Sequence, residues 1–268
     1  LLTNIENADT LRSKIHYHHI HYSDAITTNR SQRALEHLNI LLLELEKNPL
    51  RIMDDPSSYI TTLNNKVGLL LSLKQYDLIS TTLQMIREVP TKYEIHNREK
   101  ISVNLFLRTY NIELEMYRDT KEYLKAEKLI DEVWDFLKEN QNSITPDYTI
   151  LFYYQFAYIY FMLGKYSEAL SWTNNLLQTD YTKIREDIYT YSRFLNLMIH
   201  YELNNNIVLK YAVDATRKNF KKKRGLNDFE KVLLKFFSKI SLSRIHERKQ
   251  LFSDLSQNLF AKTEERKR

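Results

Sequence analysis

The chain has 268 residues, and it contains only 3 Gly, 4 Pro and no Cys. So little glycine argues against β-sandwiches, propellers and dinucleotide-binding sheets, which use glycine in hairpin turns and phosphate loops. The absence of cysteine excludes disulfides, thiolate catalysis and Cys-based zinc sites. We therefore expect an all-α protein that is long enough to bury a substantial core.

Apolar residues recur at spacings of three and four along most of the chain, which is the periodicity of amphipathic helices. The first stripe covers residues 34–45, and residues 49–58 are expected to form a loop. Further helices are predicted at 59–73, 76–89, 97–118, 121–139, 147–163, 166–179, 183–203, 207–222, 227–243 and 246–262. The second of these is expected to stop at Pro90, because proline lacks the N–H that continues a helix. Short links between the helices predict antiparallel neighbours.

A weak repeat of about 45 residues groups these helices into pairs. The links Leu73-Lys74-Gln75-Tyr76 and Leu163-Gly164-Lys165-Tyr166 share the pattern Leu-x-x-Tyr. Small or apolar residues follow at equivalent positions, 45, 47 and 43 residues apart: Ala34, Ile79, Ala126 and Ala169. Self-similarity at a fixed period indicates stacked helix pairs.

Residues 153–177 carry the most distinctive pattern of the chain: Tyr153-x-x-Phe156-Ala157-x-x-Tyr160, then Gly164-Lys165-Tyr166, then Ala169-Leu170. This segment resembles the tetratricopeptide repeat (TPR). It departs from the TPR signature at Thr173, where an aromatic residue is expected, and no proline closes the repeat. The spacing of about 45 residues also exceeds the usual TPR period of about 34.

The resemblance implies a right-handed α-α superhelix, a TPR-like solenoid of antiparallel helix pairs with about 10–12 helices. We expect a repeat array of about five helix pairs over residues 1–225. C-terminal capping helices with a basic tail are expected over residues 226–268, because a terminal repeat needs a polar outer face.

The resemblance also implies a non-enzymatic protein–protein interaction module, since such solenoids expose a concave groove lined by the first helix of each pair. Helical phase selects the candidate groove residues: Asn64, Asn111, Glu115, Tyr154, Tyr158, Phe161, Tyr191 and Phe194. An Asn amide can pair with a peptide backbone, and Tyr offers apolar area with a polar tip. We expect a scaffold or regulator that holds a peptide or partner protein in this groove. The alternative is that these aromatic residues serve as ordinary packing in the core or between successive repeats.

Positive charge is concentrated near the end of the chain. Residues 217–268 carry 16 Lys/Arg against 6 Asp/Glu, whereas residues 1–216 carry 23 against 28. The candidate basic patch consists of Lys218, Lys221, Lys222, Lys223 and Arg224. Such a run can bind nucleic-acid phosphates or an acidic partner, serve as a targeting signal, or complement the dipole at a helix end that Gly225 caps. Only Phe220 interrupts the run, which offers no platform for stacking bases, so a protein partner is favoured over nucleic acid.

No catalytic, cofactor or metal site is predicted. Glycine-rich phosphate loops and nucleophile elbows are missing from the sequence. Neighbouring carboxylates such as Glu113 with Glu115, or Asp131 with Glu132, do not share one helical face and are expected to be solvated. The histidines of residues 16–21 lack a nearby acidic pair, so a solvated or partly buried helix face is expected instead of a metal site.

Residues 148–164 contain no charged side chain, but this stretch has only 17 residues and includes five Tyr and one Gln. A membrane-spanning helix needs about 20 mostly apolar residues. We therefore expect a buried repeat helix and no membrane span. No basic segment followed by an apolar run and a cleavage site is visible near the first residue, and we expect a cytoplasmic protein.

Overall fold

A computed structural model describes residues 8–95, 98–179, 185–223 and 225–265, and within these ranges it contains 13 α-helices and no strand. The helices are α1 Leu11–Thr27, α2 Ser31–Glu46, α3 Pro49–Asp54, α4 Pro56–Ser72, α5 Tyr76–Lys92, α6 Arg98–Asp119, α7 Tyr123–Glu139, α8 Pro146–Met162, α9 Tyr166–Gln178, α10 Glu186–Glu202, α11 Asn206–Lys223, α12 Asp228–Ile240 and α13 Ile245–Glu265. The prediction of an all-α protein is confirmed, and most predicted helix ends lie within a few residues of the observed ones.

The chain forms two compact units, Leu1–Ile144 and Thr145–Arg268. The described part of the first unit contains the helix pairs α1/α2, α4/α5 and α6/α7, together with the short α3. The described part of the second unit contains the pairs α8/α9, α10/α11 and α12/α13. In both units, helices that follow each other in sequence pack against each other. The division into a repeat array and a cap at residue 225 stays a prediction.

The same turn joins the two helices of five pairs. In each turn one residue has a positive φ, and the N–H of the next residue donates to the carbonyl five positions earlier. The positive-φ residues are Asn29, Lys74, Lys121, Gly164 and Asn204, with φ between 54° and 73°. This is the Schellman ending of a helix, in which a left-handed residue follows the last helical turn. The repeat is therefore present in the structure, with spacings of 45, 47, 43 and 40 residues.

The residue five positions after each of these turns is fully buried. These residues are Ala34, Ile79, Ala126, Ala169 and Leu209. In the pair α8/α9, for example, Ala169 belongs to the same apolar cluster as Ala157, because two small side chains let the helices approach closely. The link between α12 and α13 has no positive-φ residue, so this last described pair is joined differently.

Two expectations about helix limits are wrong. Residues 49–54 of the predicted loop form α3, with Pro49 in its first turn and Ile52 buried. Proline suits this place because its φ is fixed near the helical value and no N–H is needed there. Helix α5 also continues through Pro90 to Lys92. Since Pro90 lies in the last turn, it removes a single backbone hydrogen bond close to the point where the helix ends anyway.

An ion pair between a buried glutamate and a partly buried arginine connects α5 with α6. Arg87 Nη2 lies 2.6 Å from Glu113 Oε2, Arg87 Nε donates to Thr109 Oγ1 at 3.0 Å, and the guanidinium lies 3.9 Å from the centroid of the Tyr110 ring. The Tyr117 hydroxyl donates to Glu113 Oε1, and burial raises the pKa of Tyr117 to about 12. The expectation of a solvated Glu113 is wrong, because an arginine 26 residues away compensates its charge inside the protein.

The two glycines outside the C-terminal region provide a test of the repeating turn. Gly164 has φ 73°, and a Cβ built there would contact nothing, so Gly164→Ala is expected to destabilise the fold by about 1 kcal/mol through backbone strain alone. Gly68 lies inside α4 and also has free space around it, so Gly68→Ala should stabilise by roughly 0.5–1 kcal/mol. Urea unfolding followed by circular dichroism measures both; effects of equal sign would contradict the role of Gly164 in the turn.

Removing the cation of the buried pair should strongly destabilise the first unit. Arg87→Met is expected to cost about 3 kcal/mol, because it leaves the Glu113 carboxylate buried without its counter-ion. The double variant Arg87→Met/Glu113→Gln should regain a large part of this loss in the same unfolding measurement. If the double variant were as unstable as Arg87→Met, lost packing and not the unpaired charge would explain the effect.

Candidate functional site

Helix α8 supplies most of the aromatic residues predicted to line a groove. Pro146 starts the helix, whose 17 residues include eight aromatic side chains. Phe152 and Phe156 are completely buried on its inner side. Tyr154, Tyr158 and Phe161 are half-buried and follow each other at helical spacing along an adjacent stripe.

The half-buried tyrosines of α8 meet an exposed tyrosine of α10. The ring centroid of Tyr154 lies 6.3 Å from that of Tyr158 and 6.5 Å from that of Tyr191. Tyr191 is 59 % exposed, so this contact lies at the surface of the second unit. Because α8 and α10 are the first helices of consecutive pairs, the structure brings together residues that are 37 positions apart in sequence.

An open cavity continues this surface between the N-terminal ends of α10 and α12. Its volume is about 440 Å³. Its lining residues are Glu186, Asp187, Thr190, Tyr191, Phe194, Asn227, Phe229 and Glu230. Tyr191 belongs to both the tyrosine contact and the cavity, so three first helices contribute to one region. We call Tyr154, Tyr158, Tyr191 and Phe229 the aromatic surface.

Carboxylates lie beside the aromatic side chains of the cavity. Glu186 and Asp187 occupy the first turn of α10, where negative charge stabilises the helix dipole. Arg185 donates to both carboxylate oxygens of Asp187, at 3.0 and 2.8 Å, and these hydrogen bonds lower the pKa of Asp187. Glu230 is buried and forms a capping box with Asn227 at the start of α12. Glu186, Asp187 and Glu230 outnumber the single guanidinium of Arg185, so the described residues around the cavity keep a net negative charge.

The other candidate groove residues have different surroundings. Phe194 is only 8 % exposed and packs on Phe220 beneath the cavity, with ring centroids 5.9 Å apart. Phe161 lies against Tyr166, with ring centroids 5.6 Å apart. These two side chains offer the surface little area of their own.

The candidates of the first unit are less accessible than a groove would require. Asn64 is 8 % exposed, and its Oδ1 is buried and accepts no hydrogen bond among the described residues. Asn111 and Glu115 are half-buried on α6, and Glu115 lies 3.4 Å from Arg118. These three residues belong to the first unit and the aromatic surface to the second, so the structure does not assemble all eight candidates into one described site.

Sequence reasoning missed Phe229 and the carboxylates of the cavity. The signal for them was the pattern Asn227-x-x-Glu230, which is typical of a capping box and fixes the start of α12 beside α10. Helical phase could not reveal the cavity, because its walls come from segments that are more than 30 residues apart.

The candidate basic patch lies at the end of α11. Lys218, Lys221 and Lys222 are exposed on this helix. Lys223 is its last residue, and its side chain, like all of Arg224, lies outside the described part of the structure. Of the described lysines, Lys221 faces a groove that α11 forms with α12, whereas Lys218 and Lys222 do not line it.

The histidines of α1 interact with a histidine of α2. His18 is buried, its Nδ1 lies 3.2 Å from Nδ1 of His37, and the rings of His21 and His37 are stacked with centroids 5.2 Å apart. One imidazole must donate and the other accept, so the bond requires at least one neutral ring. Burial is the main cause that lowers the pKa of both His18 and His37, and their mutual repulsion when charged lowers the pKa of His18 further.

No protein-family model matches this chain, and comparisons with curated proteins and with solved structures find no match either. Among the residues that the structure describes, no three His, Asp or Glu side chains are grouped so that they could hold a metal ion. Within the same ranges, no helix is both long and apolar enough to cross a bilayer.

Acidification should weaken the pair α1/α2. Since the pKa values of His18 and His37 in the folded protein lie below the unfolded value of 6.5, the unfolded chain binds more protons at mildly acidic pH. The free energy of unfolding is therefore expected to be highest above about pH 6.5 and to fall as the pH drops towards 5. Thermal unfolding across this range measures the slope.

The matched variants for this pH dependence are His18→Gln/His37→Gln and His246→Gln, the latter at an exposed position of α13. The double variant should show a shallower slope than the wild type, and His246→Gln should keep the wild-type slope. The same slope in all three proteins would contradict the assignment to the histidine pair.

Proposed function

We propose that this chain is a non-enzymatic interaction module, a cytoplasmic scaffold or regulator whose aromatic surface binds a peptide segment of a partner protein. The fold we propose for it is a divergent TPR-like solenoid with a right-handed superhelical twist, in which the first helices form the concave side. The five turns of the same geometry support this interpretation, as does the fully buried residue five positions after each turn.

One observation carries the proposal: side chains from the first helices of three successive pairs form a continuous, partly exposed aromatic region. Tyrosine is well suited to peptide binding, because its rigid ring buries a large area at a low entropy cost and its hydroxyl still forms hydrogen bonds. Two tyrosine rings on α8 and one on α10 lead directly to the cavity, which is open enough to accept a side chain.

The charge at the cavity mouth indicates which type of peptide side chain the cavity would bind. Glu186 is exposed at the N-terminal end of α10 and lines the same cavity as Tyr191 and Phe229, while Arg185 compensates the neighbouring Asp187. A Lys or Arg of the peptide would gain both ionic attraction and a cation–π contact there. We therefore propose a peptide that combines apolar residues with a basic residue.

Replacing Tyr191 should weaken peptide binding without affecting the fold. A random peptide library selected on the immobilised full chain supplies ligands, and fluorescence polarisation then measures their dissociation constants. Tyr191→Ala is expected to raise these constants about tenfold or more, as buried aromatic anchors do when truncated. The double variant Tyr154→Ala/Tyr158→Ala should abolish binding while helical content stays near the wild-type value.

The control is Tyr211→Ala, since Tyr211 is similarly exposed but lies on the second helix α11. This variant should bind within about twofold of the wild type. Selected peptides should be rich in Lys or Arg, and Glu186→Gln should weaken them. The aromatic-surface proposal would be contradicted if Tyr191→Ala and Tyr211→Ala lost the same peptide affinity, or if the library yielded no ligand.

A further inference from the structure

A groove of opposite charge lies between α11 and α12 and shares no lining residue with the aromatic surface. Arg217 and Lys221 line one side from α11. The other side is formed by cations and a hydroxyl group of α12, over two apolar residues: Lys231, Lys235, Ser238 and Lys239, with Leu226 and Leu234. We call this the basic groove. Of the five cations among its described lining residues, three come from α12 and do not belong to the basic run of the sequence.

The cations of α12 form a regular row. Lys231, Lys235 and Lys239 follow each other at intervals of four residues, so they lie on one face of the helix about 6 Å apart along its axis. Arg217 and Lys221 have the same interval on α11. The groove thus has basic residues for about two helical turns along α12 and for about one turn along α11.

Part of this charge has no partner in the described structure. Arg217 lies 3.2 Å from Asp214, and Lys231 lies 3.0 Å from Asp228. Lys221, Lys235 and Lys239 are exposed and take part in none of the ion pairs of the described residues. Three lysines around an apolar floor therefore remain available for carboxylates or phosphates.

We infer that the basic groove binds an acidic amphipathic helix of a partner protein. Leu234 is buried and Leu226 half-buried at the floor, so a ligand gains by placing apolar side chains against them. Glutamates at intervals of four on a helix have the same rise of about 6 Å as the lysines of α12, so two helices side by side can pair their charges in register.

Nucleic acid fits the groove less well than an acidic helix. Single strands bind proteins through aromatic side chains that stack on the bases, and none of the described residues that line this groove is aromatic. An apolar floor also contributes nothing to a purely phosphate-based contact, which depends on counter-ion release.

The test uses the full chain and a fluorescent helical peptide of about 14 residues, with Glu at every fourth position and Leu on the adjoining face. A second peptide with Gln in place of each Glu controls for charge. The groove variant is Lys235→Gln/Lys239→Gln, and the matched variant is Lys218→Gln/Lys222→Gln, which removes two exposed lysines outside the groove. Fluorescence polarisation at low and at moderate salt gives the dissociation constants, and circular dichroism checks the helical content.

The groove variant should bind the Glu peptide about tenfold more weakly, and the matched variant should stay within about twofold of the wild type. The Gln peptide should bind poorly to all proteins. Equal losses in both variants would show attraction by net charge alone and overturn the inference. It would also be overturned if a single-stranded RNA or duplex DNA bound more tightly than the Glu peptide and lost affinity in the groove variant. The Tyr191→Ala variant should bind the Glu peptide as tightly as the wild type. The proposal for the basic groove and the proposal for the aromatic surface can therefore fail independently of each other.

Discussion

The packing of five described helix pairs depends on the tight turn that reverses the backbone between the two helices of each pair. In five pairs the reversal takes place around one left-handed residue, and two of these residues are lysines, which adopt this conformation at a cost of about 1–2 kcal/mol. The turn places an apolar side chain five residues later in complete burial. At Lys74 the buried residue is Ile79, whose burial contributes about 1.5–3 kcal/mol and offsets the strain of that turn. The local conformation and the packing of the pair therefore stabilise each other.

This arrangement separates the surfaces of the second unit. The first helices α8, α10 and α12 bring tyrosine and phenylalanine side chains together, with carboxylates at the helix starts beside them. The groove between α11 and α12 instead collects cations over a leucine floor. Helix α12 takes part in both, with its N-terminal turn at the acidic cavity and the face from Lys231 to Lys239 at the basic groove. A single helix can do this because its faces and ends carry different residues.

Polar groups inside the first unit add specificity to the apolar packing. Arg87 and Glu113 connect α5 with α6, and His18 and His37 connect α1 with α2. A shifted helix would leave a buried charge or an imidazole without its partner, which is far more costly than a shift between apolar side chains. The histidine pair makes its own contact sensitive to pH, because both rings cannot be charged and still share a hydrogen bond.

Much of the fold follows from the sequence alone. Apolar spacing located the helices, and the residues Ala34, Ile79, Ala126 and Ala169 marked a period that the backbone repeats. These features are local: a helix face depends on residues three and four apart, and a turn on a few consecutive residues. Pro49 and Pro90 were misjudged because tertiary packing decided whether a short or a proline-containing helical turn is stable.

Only the tertiary structure decided which residues of different helices meet. Tyr154 lies beside Tyr191, Glu113 is buried with Arg87, and the lysines of α12 face Lys221 while its sequence neighbours Lys218 and Lys222 do not. The sequence fixes the residues on each helical face, but the rotation and offset of one helix against another depend on how all side chains of both interlock. Those packing interactions act between distant positions of the chain, so the periodicity within one helix cannot predict them.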